Sequence, residues 1–213
     1  MAENVGSSLP FKETGCCFIF SEERKDNVYT SWHKNCLIER WSQKMEKKLA
    51  ENLIVHIDNR LVHGQIAVNW KQGFQFDTIV IPDDALAHDP LNQTLMKMTI
   101  QAAGLNGHFV TVANAPQLIQ TLAAPRPSLL LGRRISPVLF IICRTPETVK
   151  QLVKGGVSIA EVTIWNMFKR EGKRKIVGTV YMDDADLADI SAIKAHGTKV
   201  AIQESAFSKK RYL

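Results

Sequence analysis

Between two apolar stretches the chain carries Asp58-Asn59-Arg60-Leu61-Val62-His63-Gly64-Gln65, which sets an acid, an arginine and a histidine close together. A neutral imidazole is a competent nucleophile near pH 7, and its N-phosphoryl form is a high-energy carrier. Arg60, three residues before His63, can lay a planar fork of donors on phosphoryl oxygens. Asp58 can hold either the Arg60 guanidinium or the imidazole N–H, and so orient one of them. Gly64 allows backbone to come close to a phosphate. These parts suit phosphoryl transfer, which demands positioning and charge neutralisation more than covalent novelty. The competing account of the same residues is a loop histidine with locally satisfied bonds beside a surface Asp58–Arg60 ion pair. Spacing alone does not separate the two accounts. His33, His56, His88, His108 and His196 stand in no comparable surroundings.

The flanking elements explain why the segment could hold an anion. Leu53-Ile54-Val55-His56-Ile57 is a β-branched apolar run, as expected of a strand buried on both faces, and Gly64 to Trp70 suits a helix. Thr78–Ile81 reads as the next strand, followed by a helix capped by Asp89-Pro90 with Leu91, Leu95, Met98 and Ala102 at helical spacing. The cycle repeats with a strand at Phe109–Val112, a helix from Asn114, and a strand at Leu139–Cys143. A helix from Thr145-Pro146 follows, then strands at Ile159–Ile164 and Val177–Met182, a helix from Asp183-Asp184, and a strand at Lys199–Ile202. Alternation of this kind predicts an α/β fold with an open, mostly parallel sheet and helices on both faces. His63 then falls after the first strand and before a helix. That is the sheet edge where ligands bind, and where helix N-termini favour anions. Residues 125–137 fit no element and read as a long loop or insertion. Trp70 and Met98 are expected in the core, Cys143 at a buried strand end, and Asp83 and Asp84 either in the site or as loop caps.

Composition narrows the function classes. The chain has 213 residues, 45% hydrophobic and 23% charged, enough for one domain with a proper core. No apolar run approaches the roughly 18–20 residues of a membrane span, and no secretory signal opens the chain, so a cytoplasmic protein is expected. The four cysteines show neither metal-ligand spacing nor a disulfide framework, and no metal or cofactor is expected. The net charge of +6 comes largely from Lys169–Lys175 and Lys209-Lys210-Arg211. Without interleaved aromatics or a nucleic-acid-binding motif, these clusters read as solvated or protein-docking faces rather than nucleic-acid sites. Residues 1–50 lack sustained apolar periodicity and are expected to form a poorly ordered extension, apart from a short amphipathic helix near Trp41–Leu49. Met45 is a candidate alternative start. Residues 51–213 are the expected functional domain.

The run Ile57 to Ala67 resembles the phosphorylation-site motif of IIB subunits from the mannose/fructose/sorbose family of bacterial phosphotransferase systems (PTS). The similarity extends over most of 53–205, through Asp83-Asp84, Cys143-Arg144-Thr145-Pro146, Lys154-Gly155-Gly156-Val157, Asn166-Met167 and Gly172-Lys173. The resemblance implies a three-layer α/β/α phosphocarrier that accepts a phosphoryl group from a IIA protein on His63, at Nδ1. It would then pass the group to a sugar held by membrane IIC and IID subunits. The sugar is thus an indirect partner, and a homodimer is possible. The resemblance makes His63 the phosphohistidine with Arg60 and Asp58 beside it, and Gly64, Gln65, His56 and Asn166 as supports. The Asn-Met turn points towards an N-acetylgalactosamine type.

The chain also departs from that pattern. Family members commonly carry arginine at the position of His56, an acid at Asn59 and glycine at Trp165. The first exchange is expected to weaken phosphate neutralisation unless His56 is protonated, and the third to crowd the phosphate loop. The C-terminus looks curtailed against the family. These departures motivate a second expectation, a degenerate regulatory or binding protein without phosphoryl flux.

Overall fold

The structure, a computed structural model, describes residues 52–64, 66–128 and 133–213. The expected N-terminal extension and the expected helix near Trp41–Leu49 lie outside these residues, as do Gln65, Cys16, Cys17 and Cys36.

Strand β1, Leu53–Ile57, runs through the middle of a seven-stranded sheet. It pairs in parallel with β6, Leu139–Cys143, on one side and with β7, Glu161–Ile164, on the other. Beyond β6 lie β2, Thr78–Pro82, and β3, Asn106–Val110. Beyond β7 lies β10, Lys199–Ile202, and all of these pairs are parallel. A two-residue strand, β11 (Arg211–Tyr212), closes the β10 edge in the antiparallel sense. The expected open, mostly parallel α/β sheet is therefore the fold.

Alternate residues of each strand feed different cores, because successive strand side chains point to opposite faces. Val55, Ile57, Val80, Ile141 and Cys143 face one layer. There they meet Ile119 of α4 (Ala115–Ala123), Val149 and Leu152 of α5 (Pro146–Lys154), and Ile190 and Ile193 of α6 (Asp184–Ala195). Ile79, Ile81, Phe140 and Ile142 face the other layer, with Trp70 and Ile100. That layer contains a π-helix, Ile66–Trp70, continued by α1, Lys71–Phe74, together with α2 (Asp84–Ala87) and α3 (Pro90–Ala102). β6 is buried along its whole length, which explains its unbroken Leu-Phe-Ile-Ile-Cys run.

Four expectations change. The strand expected at Val177–Met182 is instead a hairpin outside the main sheet, β8 (Arg174–Val177) and β9 (Val180–Met182), joined by Gly178 and Thr179. Gly178 has φ +52°, the left-handed conformation that lets so tight a turn close. In the segment expected to be a loop, β4 (Arg126–Ser128) and β5 (Arg133–Ile135) form a second short antiparallel pair. Met98, expected in the core, is 63% exposed, and Leu91, Leu95 and Ala102 share its outward face. Helix α3 carries two apolar stripes, and the one it buries runs through Met96, Ile100 and Ala103. Finally, the strand expected at Phe109–Val112 starts earlier and ends at Val110. Trp70 and Cys143 are buried as expected.

Candidate active site

The chain leaves β1 at Asp58 and turns sharply before the next helix. Leu61 takes φ +57°, a costly conformation for a leucine, while its side chain is fully buried. Core packing thus holds the turn, and strain of this kind collects at functional loops. The turn brings His63 back over Asp58. The His63 carbonyl accepts from the N–H groups of Ile66 (2.9 Å) and Ala67 (3.2 Å), so His63 starts the helix that opens with the π turn. π-Helical turns are rare and recur at functional sites.

Asp58 is the hub. Its side chain is 1% exposed and accepts five hydrogen bonds. Oδ1 takes the Arg60 backbone N–H (2.9 Å) and Arg60 Nε (3.2 Å). Oδ2 takes Arg60 Nη2 (2.9 Å), His63 Nε2 (3.1 Å) and Asn166 Nδ2 (3.0 Å). Burial opposes the ionised form, but the bonds from His63, Arg60 and Asn166 outweigh it and hold the carboxyl below the usual carboxylate range. Of the two roles open to Asp58 from the sequence, the structure gives it both: it binds the guanidinium and the imidazole. Because an ionised carboxylate only accepts, Nε2 carries a proton, and in the neutral ring Nδ1 of His63 keeps its lone pair. His63 itself is 20% exposed, reachable yet held.

Two further strand ends and the next residue of the same loop, Asn59, complete the enclosure. Asn166, after β7, sits at φ +49°, a conformation asparagine tolerates, and its buried amide reaches Asp58. Asn59 uses its amide at both ends: Nδ2 donates to the Arg144 carbonyl (2.7 Å), and Oδ1 accepts from the Phe168 N–H (2.6 Å). An acid at position 59 would lack the first of these bonds. Arg144, after β6, donates to the Asn59 carbonyl (3.2 Å) and to Asp83 (2.5 Å). Asp83 and Asp84 act as caps rather than site residues. Asp83 accepts from Leu86 N at the start of α2, and Asp84 from Val112 N.

Beside His63 opens a cavity of about 380 Å³, walled by Arg60, Asn69, Trp70, Asn166, Glu204 and Ser205, among others. His56 and Trp165 also line it. His56 is 1% exposed, its Nδ1 is 2.8 Å from Thr163 Oγ1, and its ring centroid is 4.2 Å from that of Trp70. Burial lowers its pKa to about 3, against the attraction of Asp58. It is neutral at physiological pH and supplies no charge in place of an arginine. The Trp165 indole turns towards Gly178, so the cavity stays open where crowding was expected. A Cβ built on Gly64 meets no atom within 4 Å, so packing alone does not demand glycine there. Asn59 and Arg144, legible in the sequence only as companions of the motif, are the ties between its loops. Their positions straight after β1 and β6 at one sheet edge were the available signal.

The basic run is partly spent internally. Lys173 pairs with Asp186 (2.5 Å) and Asp183 (3.5 Å), and Arg174 with Asp184 (3.1 Å). Lys169, Arg170 and Lys175 are exposed without an ion pair among the described residues. No group of side chains able to hold a metal ion occurs among those residues, and no described helix is long and apolar enough to cross a membrane.

Residues 52–211 match the family model of the PTS system sorbose subfamily IIB component. The chain belongs to that family. The N-acetylgalactosamine-specific phosphotransferase enzyme IIB component 1 of Escherichia coli (strain K12) is 38% identical over 161 residues, spanning 76% of this chain and 95% of that protein. The PTS system sorbose-specific EIIB component of Lacticaseibacillus casei is 26% identical over 150 residues, spanning 70% of this chain and 85% of its own length. The crystal structure of the E. coli N-acetylgalactosamine-specific IIB component 1 superposes with a TM-score of 0.68 at 37% identity, covering 76% of this chain and 99% of that one. This IIB component is thus a phosphotransferase component of sugar uptake, and IIB components work with IIA and membrane IIC and IID components.

Proposed function

We propose that this IIB component carries the phosphoryl group on Nδ1 of His63, receiving it from a phosphorylated IIA component and passing it to a sugar presented by IIC and IID. The observation that carries this reading is the bond from His63 Nε2–H to the buried Asp58 carboxylate, which leaves Nδ1 as the free lone pair. In the first transfer, that lone pair attacks phosphorus and the donor's P–N bond breaks, returning its electron pair to the donor imidazole. The phosphorylated ring keeps its Nε2 proton, and Asp58 stabilises the positive charge that spreads over it. In the second transfer a sugar hydroxyl oxygen attacks phosphorus, the His63 N–P bond breaks, and the hydroxyl proton leaves to solvent.

Arg60 reaches Asp58 through Nε and Nη2, and Nη1 has no partner among the described residues, so it is available to a phosphoryl oxygen. The N-terminus of the helix that His63 starts adds its own preference for an anion. Asn166 holds Asp58. Gly64 keeps the approach to Nδ1 free of side chain, Gln65 supports the phosphate from the next position, and His56 shapes the cavity as a neutral ring. By similarity to its relatives the acceptor is an amino sugar of the N-acetylgalactosamine type. The protein works in the cytoplasm, at the membrane face of IIC and IID, with Lys169, Arg170 and Lys175 towards a partner. Of His56, Asn59 and Trp165, which motivated a degenerate binding protein, Asn59 and Trp165 have structural roles compatible with phosphoryl flux, while the neutral His56 leaves Arg60 as the cation beside His63.

Incubation with phosphoenolpyruvate, the general PTS proteins and a cognate IIA is expected to place acid-labile phosphate on the wild type and none on His63→Ala. Undiminished label on His63→Ala would refute the assignment.

A further inference from the structure

Asn166 reaches Asp58 with its amide nitrogen, and on its other side its Oδ1 accepts from Thr179 Oγ1 at 2.9 Å. The polarity of this line is fixed from within. Asp58 accepts only, so Asn166 must turn Nδ2 towards it, Oδ1 must face outward, and the Thr179 hydroxyl must donate. The line therefore runs Thr179 to Asn166 to Asp58, where His63 Nε2–H arrives on the same Oδ2 atom.

Thr179 has little freedom to leave that position. It occupies the two-residue turn between β8 and β9, next to Gly178 at φ +52°. The Trp165 indole lies on that glycine so closely that an added Cβ would stand 2.6 Å from Cη2. Tyr181 N donates to the Met167 carbonyl at 3.0 Å, and Met167 bridges to Val180. Two consecutive pairs thus interlock: the Trp165 ring on Gly178, and the Asn166 amide on the Thr179 hydroxyl. The tryptophan registers the turn, and the turn supplies the hydroxyl.

We infer that Thr179 is a positioning residue for phosphoryl transfer: its hydroxyl, held in register by the Trp165–Gly178 contact, clamps the Asn166 amide and thereby fixes the carboxylate oxygen that orients His63. Without the hydroxyl, Oδ1 of Asn166 loses its donor, and the amide keeps only its Nδ2 tether to Asp58. Asp58 Oδ2 then loses a steady partner, and the carboxylate plane turns more freely. The acceptor for His63 Nε2–H is less well placed, and Nδ1 spends less time aimed at the incoming phosphorus. Thr179 is exposed and lines the same cavity as His63, but its hydroxyl is committed to Asn166, so in this scheme it acts through that amide on the rate and not on partner affinity. The inference rests on His63 being the phosphoryl acceptor, as proposed above.

The test compares Thr179→Val, close in shape but without the hydroxyl, with Thr179→Ser, which keeps it, in the full chain. Two-bond proton–nitrogen correlations on ¹⁵N-histidine-labelled protein report the tautomer of the His63 ring without any partner. The Nε2–H tautomer should dominate in the wild type and in Thr179→Ser, and fall in Thr179→Val. At saturating phosphorylated IIA, Thr179→Val should take up phosphate about fivefold more slowly, the effect of one hydrogen bond, with the half-saturating IIA concentration unchanged. Thr179→Ser should restore the rate. A Thr179→Val protein with the wild-type tautomer population and rate overturns the inference, and so does equal loss in both variants. If the wild type takes up no phosphate, the assignment of function fails, and the tautomer comparison still decides the role of Thr179.

Discussion

Asp58→Asn is expected to fold and to lose phosphoryl uptake by on the order of a hundredfold or more, as happens when a catalytic histidine loses the carboxylate that sets its tautomer. The wild-type carboxylate accepts five hydrogen bonds from Arg60, His63 and Asn166. An amide has one acceptor oxygen and two N–H groups, so it cannot receive all of them. If its oxygen serves Arg60, its nitrogen faces His63 Nε2 and favours the tautomer with the proton on Nδ1, which removes the nucleophilic lone pair. If its oxygen serves His63, the guanidinium is released from its fork and no longer presents Nη1 in a fixed place. Either outcome damages the rate, and neither restores the negative charge that balances the phosphorylated ring. The measurement is initial uptake from phosphorylated IIA at saturation, with thermal unfolding recorded on the same sample. Wild-type uptake in a folded Asp58→Asn protein would remove Asp58 from the chemistry.

The second large effect concerns acid. His56 has a pKa of about 3 in the folded protein, driven down chiefly by burial, against 6.5 for its unperturbed value. Between those values the unfolded chain binds a proton that the folded chain refuses. Stability is therefore complete above about pH 6.5 and falls steadily as pH drops towards 3, by on the order of 4 kcal/mol. Asp58 acts lower and separately. Its folded pKa lies below the usual range, so its contribution is present above about pH 4 and is lost only as pH falls below that. His56→Phe keeps a ring beside Trp70 and Phe140 and cannot take up a proton. Urea unfolding between pH 7 and 4 should show a shallower decline for His56→Phe than for the wild type. Parallel declines would mean that His56 is not held neutral.

Much of this site was written in local sequence. The β-branched run Leu53–Ile57, the Asp89-Pro90 cap and the Gly155-Gly156 stop follow from short-range rules, and the alternation they create fixes which ends of the strands share an edge. That order alone sets His63 beside Asp58 and Arg60 at one sheet edge. What it could not supply was contact across distant segments. Asn166 is 108 positions from Asp58, and Thr179 reaches it only because a hairpin folds over the loop after β7. Substitutions read one at a time as losses turned out to be partnered: Asn59 joins Arg144 to Phe168, and Trp165 packs on Gly178. Helix α3 shows the opposite failure. Its stripe of Leu91, Leu95 and Met98 has perfect helical spacing, yet faces outward because Met96, Ile100 and Ala103 fit the sheet. Periodicity states that a helix is amphipathic, but where two stripes coexist it does not choose between them.

The central claim is a single covalent bond, from phosphorus to Nδ1 of His63. Nitrogen–phosphorus and two-bond proton–nitrogen correlations on ¹⁵N-histidine-labelled protein, phosphorylated through IIA, identify the modified residue and its ring nitrogen together. The account predicts one phosphohistidine, His63, bonded at Nδ1 with the proton retained on Nε2. Phosphorus on Nε2, or on any other residue while His63 stays unmodified, would contradict it.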